Sequence, residues 1–334
     1  MSIEITEFDA ADRDEWNELV SRSAAGTFFH HYDVLEVIEE HASARLYPLV
    51  GHKGQEPVGL FPFFELRNKG ITMAFSPPPE LGLLFLGPAT LMHDGLKRRK
   101  QERRRRRFIE GCLDIIEERV NPRYYRFCTP VGYEDPRPFT WNEYETSPLH
   151  TYRLDLERDT EEIKRSFSKS LRRYLDPDED NRFVIEEGDQ DAIRFIHEQV
   201  TARYEAQDKT YSIPLEFLLD LYEQSADGHV RPYIAHVDGE RVSGIIVLED
   251  KSTIYFSEGG GKPDIDFPIN DILHWRIIRD ARERGIETYD LYGANTPRIC
   301  EYKSKFNSDL ATYYEAEKGS LVMSTAAKLY KKYG

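Results

Sequence analysis

The chain of 334 residues carries a formal net charge of −15 and is 40% hydrophobic, which is enough apolar material for two ordinary globular domains. No stretch approaches the roughly 18 consecutive apolar residues of a membrane span, and the acidic start MSIEITEFDAADRDEW has no apolar signal region, so we expect a cytoplasmic protein without a membrane span. The negative charge argues against broad affinity for nucleic acids and leaves room only for a local contact.

The first half of the chain predicts two helices, three strands, a long helix and a last strand. Apolar periodicity places the two helices at 12–23 and 31–42. The β-rich runs RLYPLVGHKG, PVGLFPFFEL and ITMAFS follow as the three strands. A long helix near 96–119 then leads to the strand YYRFCTP at 124–130.

The second half repeats this order after a Pro- and aromatic-rich stretch that ends near Pro148. The strand TYRLDL comes first, and helices are predicted at 161–175, 190–206 and 214–226. Three β-rich runs follow, RPYIAHV, RVSGIIVLE and STIYFSEGG, and Asp238-Gly239 between the first two predicts a hairpin turn.

A crossover helix closes the second half. NDILHWRIIRDARERG predicts a helix capped by Asn270 or Asp271 and ended by Gly285. TYDLYG reads as a buried strand after it. Because a crossover of this length returns the chain in the same direction, we expect the last two strands to be parallel.

Matching glycines indicate an internal duplication. GQEPVGLFPF and GERVSGIIVL share two glycines at the same spacing before an apolar strand, which pairs Gly54 with Gly239 and Gly59 with Gly244. We therefore predict an α/β (α+β) chain of two tandem units over 1–148 and 149–334, each a mixed twisted sheet flanked by helices.

The tail is predicted separately from the second unit. Residues 324–334, STAAKLYKKYG, have the pattern of a short basic amphipathic helix. We expect the segment 319–334 to pack back on the N-terminal unit.

The order of helices, a three-strand meander, a helix and a parallel strand resembles that of the GNAT acyltransferase superfamily. Two such units in one chain resemble the Fem family of aminoacyl transferases (FemA, FemB and FemX), which build peptidoglycan cross-bridges. The resemblance covers most of the chain and is carried locally by TFFHHYDVL (27–35), TARYEAQDKTYSIPLEFL (201–218) and YDLYGANTPRICEYKSKF (289–306). Some members have a basic residue after the first segment, where this chain has Glu36, Glu39 and Glu40. That departure speaks against a nucleotide-sugar acceptor.

Lys303 is the candidate for stabilising charge during acyl transfer. When an amine attacks an ester or thioester, negative charge develops on the carbonyl oxygen, and a fixed cation beside it lowers the barrier. Lys303 follows the last parallel strand, where ligands bind in α/β sheets, and the resemblance assigns the matching Lys the same task. Tyr302 fills the aromatic position of the same pair and is placed in the catalytic site with it. A solvated surface lysine is the competing interpretation, and we expect Lys305 to be solvated.

Four further residues are candidates for handling the proton or the acceptor. Asp290 in the last strand and Glu258 at the end of the preceding one could take the amine's proton, although Asp290 could equally cap or pair with an arginine. Arg203 and Tyr211 lie in the segment that matches the family's acceptor-binding region, and an arginine on the polar face of a helix is the competing interpretation. Asn295, in the bend GANTP, is placed with them in substrate binding.

The acyl donor is predicted from one loop. Acetyltransferases that use coenzyme A hold its pyrophosphate on a Gly-spaced basic loop at a helix N-terminus. The corresponding loop, GGGKPDIDFPIND (259–271), lacks that spacing and carries Asp264, Asp266 and Asp271, which disfavours coenzyme A. Fem-type proteins take the acyl group from aminoacyl-tRNA. We expect no tightly bound cofactor, and the donor, aminoacyl-tRNA or acyl-CoA, to act as a co-substrate.

The run LKRRKQERRRRRF contributes a concentrated positive charge. Consecutive helical residues advance about 100°, so the five candidate phosphate contacts point all around the helix axis: Arg103, Arg104, Arg105, Arg106 and Arg107. Because cations oppose the dipole at a helix start, we expect this start to protrude and to gain an anion. Three alternatives stay open for that anion: a tRNA phosphate in a local contact through 97–107, an acidic lipid head group, and carboxylates of the chain itself.

Other chemistries find little support. Cys112, Cys128 and Cys300 are isolated and predict neither a disulfide nor a zinc site, and His30-His31 has no third ligand at recognisable spacing. We therefore predict no metal. The leading hypothesis is transfer of an acyl group, preferably aminoacyl, to a primary amine of a small molecule or peptide. The alternatives are an acetyl-CoA-dependent N-acetyltransferase and a non-catalytic duplicated binding module.

Overall fold

A computed structural model describes residues 2–91, 95–175, 183–260 and 268–319. The chain forms two compact units, and the first boundary falls after Leu149. The second unit ends at Ala311, because the described residues from Thr312 to Gly319 belong to the first unit. The expectation that the second unit continues to 334 is therefore wrong. The predicted helix at 324–334 lies outside the described residues.

The first unit is a mixed sheet with helices against it. Its chain order is β1 Glu4–Glu7, α1 Arg13–Arg22, α2 Tyr32–His41, β2 Arg45–Lys53, β3 Glu56–Asn68, β4 Ile71–Ser76, β5 Ala89–Thr90, α3 Arg98–Arg119, β6 Tyr124–Cys128 and α4 Arg137–Trp141. One-turn 3-10 helices occupy Ala10–Asp12 and Phe28–His30. The strands β1 to β4 form an antiparallel meander, β5 adds to β3, and β6 is parallel to β4.

The second unit repeats the meander, crossover helix and parallel strand. Its chain order is β7 Glu145–Asp155, α5 Thr160–Ser166, α6 Lys169–Arg172, β8 Phe183–Glu187, α7 Gln190–Glu205, α8 Leu215–Gln224, β9 Val230–Val237, β10 Glu240–Asp250, β11 Thr253–Gly259, α9 Ile269–Glu283, β12 Thr288–Asp290, α10 Pro297–Lys303 and the 3-10 turn Ser304–Phe306. The last strand, β13 Asp309–Gly319, has most of its residues in the first unit. The sheet order within this unit is β7-β12-β11-β10-β9-β8. In the first unit, β13 pairs antiparallel with β6 over Glu315–Gly319, which is why the end of the chain belongs there.

Each crossover helix buries one apolar stripe on its own sheet. In the first unit, Phe108, Ile109 and Cys112 of α3 pack against the inner residues of β3. In the second unit, Leu273 and Ile277 of α9 pack in the same way against β9 and β10. These stripes follow the helical period, so the sequence pattern located both helices.

One matched pair of glycines has the same role in both units, and the other pair contacts different helices. Gly54 and Gly239 both have positive φ, +65° and +85°, in the turns before β3 and β10. A Cβ at Gly59 would lie 2.8 Å from the Phe108 ring of α3, whereas a Cβ at Gly244 would lie 2.5 Å from Ile196 of α7. Both glycines admit a helix side chain, but the helices come from different places in the two repeats.

Local details differ from the sequence-based expectations at two helices. The predicted helix 161–175 divides into α5 and α6, and the Ser168 hydroxyl caps the second by accepting from Leu171 N at 3.3 Å. Neither Asn270 nor Asp271 caps α9, which begins after Pro268. Asn270 accepts from the Ser243 hydroxyl instead, at 2.6 Å. In the described part of the chain, no helix has the length and apolarity to cross a membrane.

Candidate active site

A gap opens where β11 and β12 stop pairing. The two strands are parallel and in register from Thr253 and Thr288 as far as Tyr255 and Asp290. Strand β11 continues to Gly259, but the chain leaves β12 directly after Asp290. Tyr292 and Gly293 then take left-handed conformations, with φ of 58° and 93°. The carboxyl ends of parallel strands are where α/β sheets bind ligands, so this gap is the natural place for a substrate.

Lys303 reaches into this gap from the end of α10. Its Nζ donates to the carbonyl oxygens of Tyr292 at 2.7 Å and Gly293 at 3.0 Å. The same atom lies 5.6 Å from the centre of the Phe256 ring on β11. Because an ammonium has three N–H donors, one remains for another acceptor. Lys303 is therefore held by the chain on both sides of the gap and is not a solvated surface lysine.

Burial lowers the pKa of Lys303. The residue is only 7% exposed. Loss of hydration lowers the pKa of Lys303 to about 8, and the nearby Asp290 carboxylate opposes that shift. The side chain is thus a cation at neutral pH that loses its proton at mildly alkaline pH.

Tyr302 and Lys305 fix α10 to the start of α9 through Asp271. The Tyr302 hydroxyl donates to Asp271 at 3.0 Å, and Lys305 Nζ lies 2.8 Å from both carboxylate oxygens. The expectation that Lys305 is solvated is therefore wrong, because a buried carboxylate pairs with it. For the same reason, Asp271 does not present a free negative charge to a donor phosphate. Asp264 and Asp266 lie outside the described residues.

His274 is a neighbour of the gap that the sequence did not single out. It is 3% exposed on α9, and its Nδ1 lies 2.8 Å from the Tyr289 hydroxyl. Burial, together with the cations Lys303 and Lys305, lowers the pKa of His274 to about 3. The ring therefore stays neutral. A polar residue inside the apolar stripe of the predicted helix was the signal for it.

Asp290 supports the bend. Its carboxylate accepts from the Thr151 hydroxyl at 2.5 Å and from the Tyr292 backbone N–H at 2.8 Å. Arg153 Nε lies 3.9 Å away, which matches the alternative that Asp290 pairs with an arginine. Burial raises the pKa of this fully buried carboxyl, and the hydroxyl and backbone donors oppose the rise. Asp290 is a structural anchor beside Lys303.

A β-bulge turns Glu258 to the other face of the sheet. Val247 pairs with Phe256 but Ile246 pairs with Glu258, so Ser257 is the extra residue. Phe256 faces α9, where its ring centre lies 5.2 Å from that of His274. Side chains alternate along a strand, so Glu258 shares the face of Ile246 against α7.

Glu258, Arg203 and Tyr211 form a second group at the end of β11. Arg203 on α7 donates to the carbonyl oxygens of Gly259 at 3.2 Å and Gly260 at 2.6 Å, and the buried Tyr211 hydroxyl lies beside Glu258. Burial raises the pKa of Glu258 to about 7, against the opposing effects of Tyr211 and Arg203. The carboxyl can therefore accept a proton near neutral pH.

The remaining candidate, Asn295, is occupied by the backbone. Its side-chain oxygen accepts from His150 N at 2.9 Å and its nitrogen donates to His150 O at 3.0 Å. The amide thus ties the bend to β7, and these contacts give it a structural role in place of the predicted substrate contact.

The corresponding gap of the first unit is filled by its own chain. Strands β4 and β6 pair in parallel as far as Ser76 and Phe127. Beyond that point the backbone N–H of Leu86 donates to Cys128 O at 3.0 Å, and Gly87 N donates to the Ser76 hydroxyl at 2.9 Å. The first unit therefore offers no matching gap at this place.

Gly87→Ala should destabilise the first unit. Gly87 has φ of +63°, and a Cβ there would lie 2.7 Å from Cys128 O. A strained left-handed residue costs about 1–3 kcal/mol, so urea unfolding should show a loss of at least that size. Gly70→Ala, at φ of +79° with nothing within 4 Å of its Cβ, controls for conformation alone. Equal losses in both variants would contradict the close packing at Gly87.

Carboxylates of the chain lie close to at least three of the five candidate arginines at 103–107. Arg104 contacts Glu56 at 2.9 Å, Arg105 contacts Glu134 at 3.0 Å and Arg106 contacts Glu110 at 2.7 Å. The side chains of Arg104 and Arg105 are only 14% and 12% exposed, so the expectation that this part of the helix protrudes is wrong for them. Arg103 and Arg107 are exposed.

Neither unit shows a metal centre in its described portion. No group of three or more His, Cys, Asp or Glu side chains is arranged there to hold a metal ion.

The chain is similar to known proteins in part of its sequence and in its fold. Residues 162–304 match the family model of the acetyltransferase (GNAT) domain. The chain is similar to the crystal structure of FemX, with 10% sequence identity and a TM-score of 0.73 over 93% of this chain and 96% of that chain. It is also similar to L-PGS from Bacillus licheniformis, with 10% identity and a TM-score of 0.60 over 98% of this chain and 97% of that chain. No curated protein matches the sequence.

A further solved structure bears on the duplication. The tandem GNAT protein from the clavulanic acid biosynthesis pathway has 13% identity and a TM-score of 0.50 over 95% of this chain and 98% of that chain. At these identities the likeness concerns the fold. The predicted α/β fold of two GNAT-like units is confirmed, and so is the resemblance that suggested it: residues 162–304 match the acetyltransferase (GNAT) domain, in a chain whose fold is similar to that of FemX and of a tandem GNAT protein.

Proposed function

We propose that the second unit transfers an acyl group, preferably aminoacyl, to a primary amine of a small molecule or peptide. The observation that carries this proposal is the buried Lys303 ammonium, held at the open end of two parallel strands with one N–H donor to spare. A fixed cation in a place shielded from water is what a developing oxyanion needs.

Lys303 and Glu258 would have separate roles in the reaction. The amine attacks the donor carbonyl, and Lys303 stabilises the negative charge on the carbonyl oxygen. As the new C–N bond forms, the amine's proton passes to Glu258. The bond from the carbonyl carbon to the leaving oxygen or sulfur then breaks, and the proton moves from Glu258 to the leaving group. A substrate passing through the gap would meet Lys303 on the α9 side of β11 and Glu258 on the α7 side.

Arg203 and Tyr211 complete the acceptor side. Arg203 holds the end of β11 through two carbonyl oxygens, and Tyr211 lies beside Glu258. Arg203 would keep the strand end that carries Glu258 in place, and the Tyr211 hydroxyl would offer its one donor to the acceptor substrate. Tyr302 keeps α10 in position through Asp271, so its role is to place Lys303.

We consider two donors for this site. The Fem-like fold supports aminoacyl-tRNA, whose local contact would lie on residues 97–107. The match of 162–304 to the acetyltransferase (GNAT) domain supports acetyl-CoA as the alternative donor. Lys303 and Glu258 would have the same roles with both donors, because attack on an ester and on a thioester each places negative charge on the carbonyl oxygen.

The donor can be decided by a paired transfer assay. The purified chain is incubated with a mixture of radiolabelled aminoacyl-tRNAs, or with labelled acetyl-CoA, and with a panel of primary amines. We expect transfer from aminoacyl-tRNA and little from acetyl-CoA. Transfer only from acetyl-CoA would overturn the donor but not the site. Failure of both donors to react with any amine, or to bind, would overturn the enzyme hypothesis in favour of a binding module.

A further inference from the structure

A basic surface at the start of α3 carries charges that no carboxylate of the described residues neutralises. We define it by four exposed cations, Lys97, Arg99, Lys100 and Arg103. Unlike Arg104, Arg105 and Arg106, they have no carboxylate partner within the described ranges. They stand together on two helical turns of a chain whose net charge is −15. Such concentration of one charge in an acidic protein is typical of a surface that meets a polyanion.

An exposed tryptophan accompanies this basic surface. Trp141, the last residue of α4, is 52% exposed. The guanidinium groups of Arg106 on α3 and Arg137 on α4 each lie 5.3 Å from its ring centre. Arg137 is itself held by Asp135 and by Glu102 of α3, at 2.6 Å and 3.5 Å. An aromatic ring fixed among arginines is a platform on which a nucleic-acid base can stack.

From these features we infer that the basic surface and Trp141 bind RNA, with the cations on backbone phosphates and the indole ring on an unpaired base. RNA fits better than a lipid surface. The apolar residues of α3 are buried in the first unit, which leaves no apolar face to insert between lipids. Four cations suit a local contact, as the acidic remainder of the chain requires. The inference rests on the proposed use of aminoacyl-tRNA and names where that donor would be held.

Salt dependence of binding tests the basic surface. The probe is fluorescently labelled unacylated tRNA, titrated with the full-length chain at several salt concentrations. Affinity falls as salt rises, so the slope of log affinity against log salt is negative. Replacing all four cations by Gln should reduce the magnitude of that slope by about 3, because each phosphate contact contributes about 0.7–0.9. A control changes four scattered exposed cations to Gln, which gives the same net charge: Lys69, Lys169, Lys209 and Arg241. That control should keep most of the slope.

A second variant tests the stacking. Trp141→Leu should weaken binding to a short single-stranded RNA by about 5- to 150-fold while changing the salt slope little. Unchanged affinity in both the quadruple variant and Trp141→Leu would overturn the inference, as would equal losses in the quadruple variant and its control. Binding to phosphatidylglycerol vesicles without binding to tRNA would also overturn it, in favour of a membrane contact.

These outcomes are separate from those of the transfer assay. The tRNA probe carries no acyl group, so its binding does not require chemistry at Lys303. Binding through the basic surface without aminoacyl transfer would support this inference and contradict the proposed donor. Aminoacyl transfer that is unaffected in the quadruple variant would support the donor and overturn the surface.

Discussion

Replacing Lys303 by Met is expected to lower the rate of acyl transfer by about 10²–10³-fold, the effect of removing one oxyanion donor. Met keeps the length of the side chain but offers neither charge nor a hydrogen bond. The loss should appear mainly in kcat, because the charge that Lys303 stabilises develops only in the transition state. Single-turnover measurements with saturating donor would show it directly.

Lys303 also holds two backbone carbonyls, so its structural role must be separated from its chemical one. Lys303→Arg keeps a cation and should retain more activity than Lys303→Met. Lys169→Met, an exposed lysine in the same unit, should leave the rate unchanged. Unfolding in urea defines the conditions under which each variant is folded. Full activity in a folded Lys303→Met protein would refute the role proposed for the ammonium.

The pH dependence gives the same residue a second readout. Transfer needs the protonated form of Lys303, whose pKa is about 8, so the wild-type rate should fall as the pH rises through that value. The guanidinium of Lys303→Arg stays charged across this range, so its falling limb should disappear. An alkaline limb that is identical in both proteins would show that the limb has another source.

Replacing Glu258 by Gln is the second large effect that we expect, a loss of about 10²–10⁴-fold in kcat/KM, the usual contribution of a general base. The carboxylate form is the active one. With a pKa of about 7, the wild-type rate should rise with pH up to that value, before the fall that deprotonation of Lys303 causes near pH 8. The variant should lack this inflection. Glu240→Gln, an exposed position on the neighbouring strand β10, is the matched control.

The raised pKa of Glu258 also predicts how the stability of the folded protein changes with pH. Between its ordinary value of about 4.5 and the folded value of about 7, the folded protein binds this proton more tightly than the unfolded chain. The contribution of Glu258 to stability is therefore complete below about pH 4.5 and is lost as the pH rises through about 7. Because Gln cannot titrate, Glu258→Gln should remove this decline in urea unfolding. An unchanged decline would mean that the carboxyl is not buried as described.

The individual segments of the site could be predicted from the sequence, but the contacts between them could not. The strand, bend and short helix around Lys303 could be read locally, since a buried apolar run, a Gly-containing turn and a helical segment follow one another within 289–306. Lys303 itself was found in this way. Its neighbour His274 was missed because its functional environment comes from three other elements.

Grouping of the candidate residues depends on strand register. Glu258 and Phe256 are two residues apart, so an ideal strand would put them on one face. The extra residue Ser257 places them on opposite faces, and that bulge exists only in the pairing of β11 with β10. No local pattern could therefore show that Glu258 lies on the same face of the sheet as Arg203 and Tyr211, opposite the face of Lys303.

From the sequence alone we could predict the meander, crossover helix and parallel strand of each half, the two repeats and the segment that carries Lys303, because helical periodicity, turn residues and glycine spacing are short-range signals. Which charges are neutralised depends on the tertiary structure. Lys305 meets Asp271, and Arg104 meets Glu56, across 34 and 48 residues of sequence. Such pairs form through the approach of distant elements, and their energies depend on burial at the meeting point.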